Sequence, residues 1–297
     1  MDQRAGSVAE VGGLRRILAP NPSPLTGPGT NTYLVGRGEV AVVDPGPDDP
    51  AHLAAILHAA DGERVAAILV THAHRDHSEG APALARATGA PVMAFGDAAA
   101  GRPEAAAGLD VGGGEGVDAA FAPDRILRDG DVLALGGAEV TALHTPGHFG
   151  GHLAFAVGEA ILSGDVAMGW ASTLISPPDG DVSAFLASCA RLRRMAPRLL
   201  LPGHGAAVED PAARLDWLVA HRREREAQIL DALARGPAAA PSLVARLYAD
   251  VPGHLHPAAE RNVLAHLIDL AGRGVVRPEG AFSRSAIFAL ARSRPEA

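Results

Sequence analysis

An α/β fold followed by a smaller C-terminal domain is predicted by three features of this 297-residue sequence. Over the first two thirds, short β-rich runs alternate with stretches rich in Ala and Leu, as expected of sheets covered by helices. After His204 the strand-like runs give way to long, charged helical stretches. Hydrophobic residues make up 47% of the chain, which is enough for a sizeable core and excludes wholesale disorder. We therefore predict two domains, residues 1–208 and residues 209–297.

The predicted elements of the first domain follow one another along the chain. Each strand is an apolar run bounded by Gly, Pro or Asp, which is typical of buried strands. Gly89 ends the second helix, and Asp181 or Ser183 can cap the third. Residues 20–30 are predicted to be a loop, and residues 96–116 an exposed, mobile insertion rather than a substrate lid. The strands cover residues 31–35, 40–44, 66–71, 91–95, 139–144, 152–157 and 160–164, and the helices cover residues 50–60, 79–88 and 183–195.

The C-terminal residues predict a winged-helix pattern. A charged helix at 210–235 ends at Gly236-Pro237, and two further helices follow at 242–248 and 257–271. Two β-like segments, 274–277 and 285–290, would form a two-stranded wing. A recognition helix for nucleic acid normally carries several outward polar side chains, and the helix at 257–271 offers only Arg261 and Asn262. We therefore expect this region to serve packing and homodimerisation.

Charge and cysteine content exclude several classes of protein. The formal net charge is −8, which argues against binding to nucleic acid through bulk charge. The single cysteine, Cys189, excludes an internal disulfide, and we expect it to be a buried small hydrophobe. The chain contains no lysine, which excludes Schiff-base chemistry. It has no apolar run of about 18 residues and no leader-like start, so we expect a soluble cytoplasmic protein without a membrane span.

The densest group of reactive side chains is Thr71-His72-Ala73-His74-Arg75-Asp76-His77, directly after a predicted strand. Neutral imidazoles and a carboxylate suit Zn²⁺ or a neighbouring first-row metal. In an extended segment alternate side chains share a side, so His72, His74 and Asp76 would converge while His77 points elsewhere. The cluster favours two metals, one on His72 and His74 and the other on Asp76 and His77.

Three further candidate ligands also follow apolar runs. His148 lies in Thr145-Pro146-Gly147-His148 and Asp165 lies in Ser163-Gly164-Asp165. His204 lies in Leu201-Pro202-Gly203-His204-Gly205, after the run 199–201. Each signal is weak alone, because a single histidine after a strand is more often structural than a ligand. Together with the cluster, all three could face one cleft.

The ordered set THAHRDH, TPGH, SGD and PGHG resembles the metallo-β-lactamase fold superfamily. This resemblance implies an αββα sandwich with a dinuclear metal site between its sheets. Asp44, in Val43-Asp44-Pro45-Gly46, matches the superfamily's Asp-x-Gly strand end and would orient ligands through hydrogen bonds. The resemblance also implies which side chains bind the metals: His72, His74 and His148 the first, Asp76, His77 and His204 the second, and Asp165 both.

Within that superfamily the chain resembles the beta-lactamase-like protein 2 family. The shared features are Gly29-Thr30-Asn31-Thr32-Tyr33-Leu34-Val35, the metal motifs, Ala220-His221-Arg222 and the winged-helix region. True β-lactamases usually carry Cys or Ser at the position of Asp165, so hydrolysis of antibiotics is disfavoured.

A dinuclear centre predicts a hydrolase. Two metals ~3.5–4 Å apart would give a bridging hydroxide at neutral pH, and Asp76 would orient it and help to move a proton. Our first interpretation is hydrolysis of a small ester, thioester or lactone with two divalent ions, Zn²⁺ or else Mn²⁺ or Fe²⁺. The resemblance also implies an alternative, cleavage of single-stranded RNA. A third is a non-enzymatic winged-helix binding protein on a metal-stabilised scaffold.

The other histidines carry weaker predictions. His144 and His152 flank a candidate ligand and are predicted to be packing or ligand-orienting residues. Four more lie on predicted helical stretches and are expected at the surface or at its boundary: His52, His58, His221 and His266.

Overall fold

The computed structural model describes residues 8–11 and 14–291, and it contains two β-sheets packed face to face. The first sheet has seven strands in chain order: β1 (Val8–Val11), β2 (Leu14–Leu18), β3 (Asn31–Arg37), β4 (Glu39–Val43), β5 (Arg64–Leu69), β6 (Val92–Ala94) and β7 (Arg125–Ile126). The second sheet is built from β8 (Val132–Leu135), β9 (Ala138–His144), β10 (Leu153–Val157), β11 (Ala160–Gly164) and β12 (Leu199–Pro202), in the order β12-β11-β10-β9-β8.

Helices cover the outer faces of both sheets, which confirms the predicted αββα sandwich. Helices α1 (Pro50–Ala59) and α3 (Ala81–Thr88) pack on the first sheet, and α4 (Val182–Met195) and α5 (Pro211–Ala234) pack on the second. The predicted cap of α4 and the predicted end of α3 are both confirmed. The Asp181 side chain accepts from the amide of Ala184 to cap α4, and Gly89 ends α3 in the left-handed conformation.

Strand β4 shows why the central strands are continuously apolar. Val40 and Val42 face the helices on the outer side, whereas Ala41 and Val43 face the second sheet. All four side chains are buried, because the strand is covered on both faces. The two sheets therefore share one apolar layer between them.

The C-terminal region contains α6 (Ala240–Leu247), α7 (His256–Gly272) and a small sheet of β13 (Ala238–Ala239), β14 (Val276–Pro278) and β15 (Ile287–Leu290). The strand order is β13-β15-β14, so the wing has three strands rather than the predicted two. Helix α5 belongs to both regions. Leu218 packs with α4 and the second sheet, whereas Leu233 packs with α6 and α7.

Five strands of the two large sheets are absent from the predicted strands, namely β1, β2, β7, β8 and β12, and β12 was recognised only as the apolar run 199–201. Strand β2 was missed because it reads Leu-Arg-Arg-Ile-Leu, yet both of its arginines are buried. Arg15 donates to the carbonyl of Ala59 and pairs with Glu63, which makes its burial tolerable. The leader prediction concerns a segment that includes residues 1–7, which lie outside the described residues. Within the described residues, no helix is both long and apolar enough to cross a bilayer.

Residues 96–116 lie largely at the surface, as predicted, but they are anchored to the rest of the protein. The side chains of Ala98, Ala106 and Val111 are buried. The carbonyl of Asp110 accepts from the amide of Arg284 in the C-terminal region. The segment therefore connects the two regions.

Candidate metal centre

The candidate ligands lie just beyond the carboxyl ends of strands from both sheets. His72 follows β5 and His148 follows β9, while Asp165 directly follows β11 and His204 comes two residues after β12. Hydrogen bonds close the gap between the sheets at this end, since the amide of Asn31 donates to the carbonyl of Gly203. Polar side chains from distant parts of the chain thereby meet in one place.

Three imidazoles form the first group of possible ligands. Nε2 of His72 lies 2.8 Å from Nδ1 of His74, and Nε2 of His148 lies 3.0 Å from the same atom. Burial lowers the pKa of all three histidines, that of His74 to about 3. Each neutral ring keeps one nitrogen lone pair, so three converging imidazoles provide the donor set that a divalent first-row cation binds.

A second group contains Asp76, His77 and His204. Oδ2 of Asp76 lies 3.4 Å from Nε2 of His77 and 3.2 Å from Nε2 of His204. Burial alone would lower the pKa of His77, but the carboxylates of Asp76 and Asp44 outweigh it and raise the pKa to about 9. The pKa of His204 is also raised, because Asp165 and Asp76 outweigh burial in the same way. This half of the site attracts positive charge.

Asp165 lies between the two groups. Its Oδ2 atom is 3.3 Å from Nε2 of His204 and 3.8 Å from Nε2 of His148. Its Oδ1 atom is buried and accepts no hydrogen bond from any described residue. A buried carboxylate oxygen without a donor is costly, and a cation would satisfy it. The ligand atoms of His72, His77 and Asp165 also lie within 4.8 Å of one another, so the residues present fit a divalent metal site.

The structure corrects the predicted orientation of His77. Residues Arg75–Ser78 form a turn of helix, α2, rather than an extended segment, and the amide of His77 donates to the carbonyl of His74. In a helical turn adjacent side chains do not alternate between opposite sides, so His77 joins Asp76 in the site instead of pointing away. All seven predicted ligands are thus brought together.

The comparisons with known proteins give the family. Residues 25–204 match the model described as the metallo-beta-lactamase superfamily. The chain belongs to that superfamily. Residues 239–284 match the beta-lactamase associated winged helix domain, which confirms the winged-helix prediction.

Individual relatives match over most of the chain. The chain is 32% identical to the "Beta-lactamase-like protein 2 homolog" of Drosophila melanogaster over 88% of this chain and 89% of that protein, as the resemblance predicted. It is 31% identical to "Atrochrysone carboxyl ACP thioesterase" of Aspergillus fumigatus over 73% of this chain and 64% of that protein. The crystal structure of a metallo-beta-lactamase family protein from Thermus thermophilus superposes with a TM-score of 0.76 at 28% identity, covering 94% of this chain and 99% of that one.

Asp44 accepts three hydrogen bonds from Thr71 and His77, the first and last residues of the THAHRDH motif. Its Oδ1 accepts from the amide of Thr71 at 2.7 Å, and its Oδ2 accepts from the Thr71 hydroxyl and from Nδ1 of His77, each at 2.8 Å. Because Nδ1 of His77 donates to a carboxylate, Nε2 remains the nitrogen that faces His204. These contacts suit the predicted role of Asp44 in orienting a ligand.

The contacts of Thr30 and Asn31, at the start of β3, were not predicted from the sequence. Thr30 donates to Oδ2 of Asp76 at 3.1 Å. Asn31 donates to the carbonyls of Pro202 and Gly205, on either side of His204. The signal was available, since consecutive polar residues at the start of an otherwise apolar buried strand need partners.

Two glycines of the superfamily motifs are required by close packing. A Cβ atom on Gly203 would lie 2.5 Å from Oδ1 of Asp165 and 2.7 Å from Cε1 of His77. A Cβ atom on Gly164 would lie 2.5 Å from Nε2 of His152, the atom that accepts from the amide of Asp165. Any larger residue at either position would displace a candidate ligand or its support.

Predictions for the other histidines are partly wrong. His52 is buried, with Nε2 2.8 Å from the Thr32 hydroxyl, and His266 is fully buried, because each lies on the inner face of its helix. His58 is exposed and His221 lies at the boundary, as expected. His144 stacks on Phe95 with ring centroids 4.1 Å apart.

Cys189 is buried in α4, as predicted for a small hydrophobe. Burial raises the pKa of its thiol to about 12, so the thiol stays protonated at neutral pH and is a poor nucleophile.

A cavity of about 350 Å³ adjoins His74 and His148. Its lining is mixed: Leu25, Val117 and Leu174 are apolar, whereas Glu115, Asp179 and Arg284 are charged. Pro257, Ala258 and Arg261 of α7 form part of its wall, so the C-terminal region contributes to it directly. A larger groove of about 950 Å³ lies elsewhere, beside Gly36 and Gly137, and contains no candidate ligand.

Proposed function

We propose that this chain is a hydrolase that holds two divalent ions, preferably Zn²⁺, and cleaves a small thioester, ester or lactone. The observation that carries the proposal is the pair of ligand groups on either side of Asp165, next to a cavity of about 350 Å³. The first ion would be bound by His72, His74 and His148 and the second by Asp76, His77 and His204, with Asp165 shared.

Divalent ions held at these residues would supply Lewis acidity toward a carbonyl oxygen and toward water. Asp76 is the most exposed ligand of its group, with 28% of its side chain accessible. Burial alone would raise the pKa of Asp76, but His77 and His204 outweigh it and hold the pKa below its usual range. The carboxylate is therefore ionised at neutral pH, and Thr30 fixes its orientation. We assign it to orient the attacking water by accepting a hydrogen bond from it and to help move its proton, because so low a pKa makes it a weak base.

The cavity supports a small substrate with an apolar group. Its volume lies at the lower end of the range for ligand pockets, ~300–1,000 Å³, and Leu25, Val117 and Leu174 would contact an acyl chain. Among the three bond types we favour the thioester, because one relative at 31% identity is named a thioesterase.

The test is turnover by protein reconstituted with Zn²⁺, Mn²⁺ or Fe²⁺, assayed on acyl thioesters, esters, lactones and labelled single-stranded RNA. We expect two metal equivalents, thioester cleavage by the zinc form, and a fall in turnover of ~10²–10⁴-fold in Asp76→Ala. Glu79→Gln, a neighbouring acidic residue paired with exposed Arg75, is the matched control and should leave turnover unchanged.

Other results would favour the alternatives. RNA cleavage that depends on Asp76, without thioester turnover, would assign the endoribonuclease function. A protein that turns over none of these substrates would favour the non-enzymatic winged-helix binding protein. The comparisons do not support RNA binding or a homodimer, and both stay predictions. The cytoplasmic location and the domain border at residue 208 also stay predictions.

A further inference from the structure

Residues 172–177 run between the candidate metal centre and the C-terminal region. At the metal side, Nδ1 of His148 lies 2.6 Å from the carbonyl oxygen of Leu174. Nδ1 must be the donor, because a carbonyl can only accept. Nε2 of His148 is then left without a proton on the side that faces His74 and Asp165. The position of Leu174 therefore decides how His148 presents its lone pair.

The C-terminal region holds this segment from the other side. Oδ1 of Asn262, on α7, accepts from the amide of Ile175 at 3.0 Å, one residue after Leu174. The same oxygen accepts from Nη1 of Arg222, on α5, at 3.0 Å. Nη2 of Arg222 donates to the carbonyls of Ser172 and Thr173. Arg222 is only 1% exposed, so these bonds form away from water, where their loss is costly.

Arg261 extends the same arrangement. Its Nε donates to the Ser176 hydroxyl at 3.0 Å, and its Nη atoms donate to the carbonyls of Pro177 and Val111. Arg261 and Asn262 were the only residues of the 257–271 helix that suited an outward recognition face. Both instead contact residues of the catalytic region.

We infer that Asn262, together with Arg222, is a positioning residue for the metal centre, acting through the Leu174 carbonyl on His148. The inference rests on the proposed assignment of His148 as a ligand. It gives the C-terminal region a part in metal binding, beyond the packing role expected from the sequence. A loss of the Asn262 side chain would free Ile175 and Leu174, and the ring of His148 would lose its fixed orientation.

The experiment is stepwise metal titration of the full chain with a competing chelator, for wild type, Asn262→Ala and Asn262→Asp. Partners that orient ligand histidines typically change metal affinity 10- to 100-fold. In Asn262→Ala we expect this 10- to 100-fold loss of affinity for one of the two bound metal equivalents. We also expect the absorption spectrum of the Co²⁺-loaded protein to change. Asn262→Asp loses the donor to the carbonyl of Ala258 but keeps the acceptor oxygen for Ile175 and Arg222, so it should restore both properties.

Val263→Ala is the control for general destabilisation, because Val263 packs in the C-terminal cluster, whereas Ile175 packs in the cluster around the second sheet. It should lower the melting temperature and leave metal affinity unchanged. Wild-type affinity and spectrum in Asn262→Ala, or an equal loss of affinity in Val263→Ala, would overturn the inference. A wild-type chain that does not bind two equivalents would instead overturn the proposed metal centre.

Discussion

Replacing Asp44 by Asn removes one acceptor while keeping the volume of the side chain. Oδ1 must still accept from the amide of Thr71, so the new NH₂ group takes the position of Oδ2. There it lies 2.8 Å from Nδ1 of His77, which at present donates to the carboxylate. Two donors cannot face each other, so Nδ1 must become the acceptor and the His77 proton must move to Nε2. Nε2 then has no lone pair to offer to a cation.

The expected result of Asp44→Asn is a 10- to 100-fold loss of affinity at the His77 side of the centre, or about 1.4–2.7 kcal/mol. Chelator competition with Zn²⁺ measures this directly. Asp49→Asn is the matched control, since Asp49 caps α1 through the amide of His52 and contacts no candidate ligand. Undiminished affinity in Asp44→Asn, or the same loss in Asp49→Asn, would refute the reasoning.

Three further substitutions test other parts of the structure. Gly203→Ala should abolish binding of at least one metal equivalent, measured by elemental analysis, because its methyl group would clash with Asp165 and His77. His266→Leu should remove a pH dependence of stability. Burial holds the pKa of His266 at about 3, against 6.5 in the unfolded chain, so the unfolded state binds the proton first as pH falls. Stability is therefore lost from about pH 6.5 downwards, by about 2.7 kcal/mol at pH 4.5, measurable by urea unfolding. Ala258→Phe should narrow the cavity and reduce kcat/KM for long acyl thioesters more than for acetyl thioesters.

Each of these substitutions has a control on the same chain. Gly253→Ala should be neutral, since no atom lies within 4 Å of its added methyl group. Exposed His58→Gln should keep the wild-type pH slope, and Ala234→Phe, at an exposed position of α5, should keep the wild-type chain-length preference. Metal retention in Gly203→Ala, an unchanged slope in His266→Leu, or an unchanged preference in Ala258→Phe would contradict the respective argument.

The site was more predictable from the sequence than the surroundings that support it. The candidate ligands lie in short motifs at strand ends, so a local pattern is enough to find them. The bonds of Asn262 to Ile175 and of Thr30 to Asp76 join residues far apart in the chain, and no local pattern encodes them. Strand β2 was hidden by two arginines whose partners appear only after folding.

Inward-facing histidines were missed for a related reason. His52 and His266 lie on helices whose composition does not reveal which face is covered. Local turn geometry also matters, since one turn of helix at Arg75–Ser78 reversed the expected direction of His77. Motifs thus predict which atoms meet, while tertiary packing decides their orientation.

The shared position of α5 bears on protein engineering. A fragment that ended at residue 208 would lack Arg222, so the carbonyls of Ser172 and Thr173 would lose their guanidinium donor. It would also expose the face of α4 that Leu215 and Leu218 cover. Such a fragment should aggregate or resist refolding. Chimaeras that exchange the C-terminal region between homologues should fold only when residues 172–177 are exchanged together with it. We therefore expect that the catalytic region cannot be transplanted alone, even though the sequence changes character at residue 208.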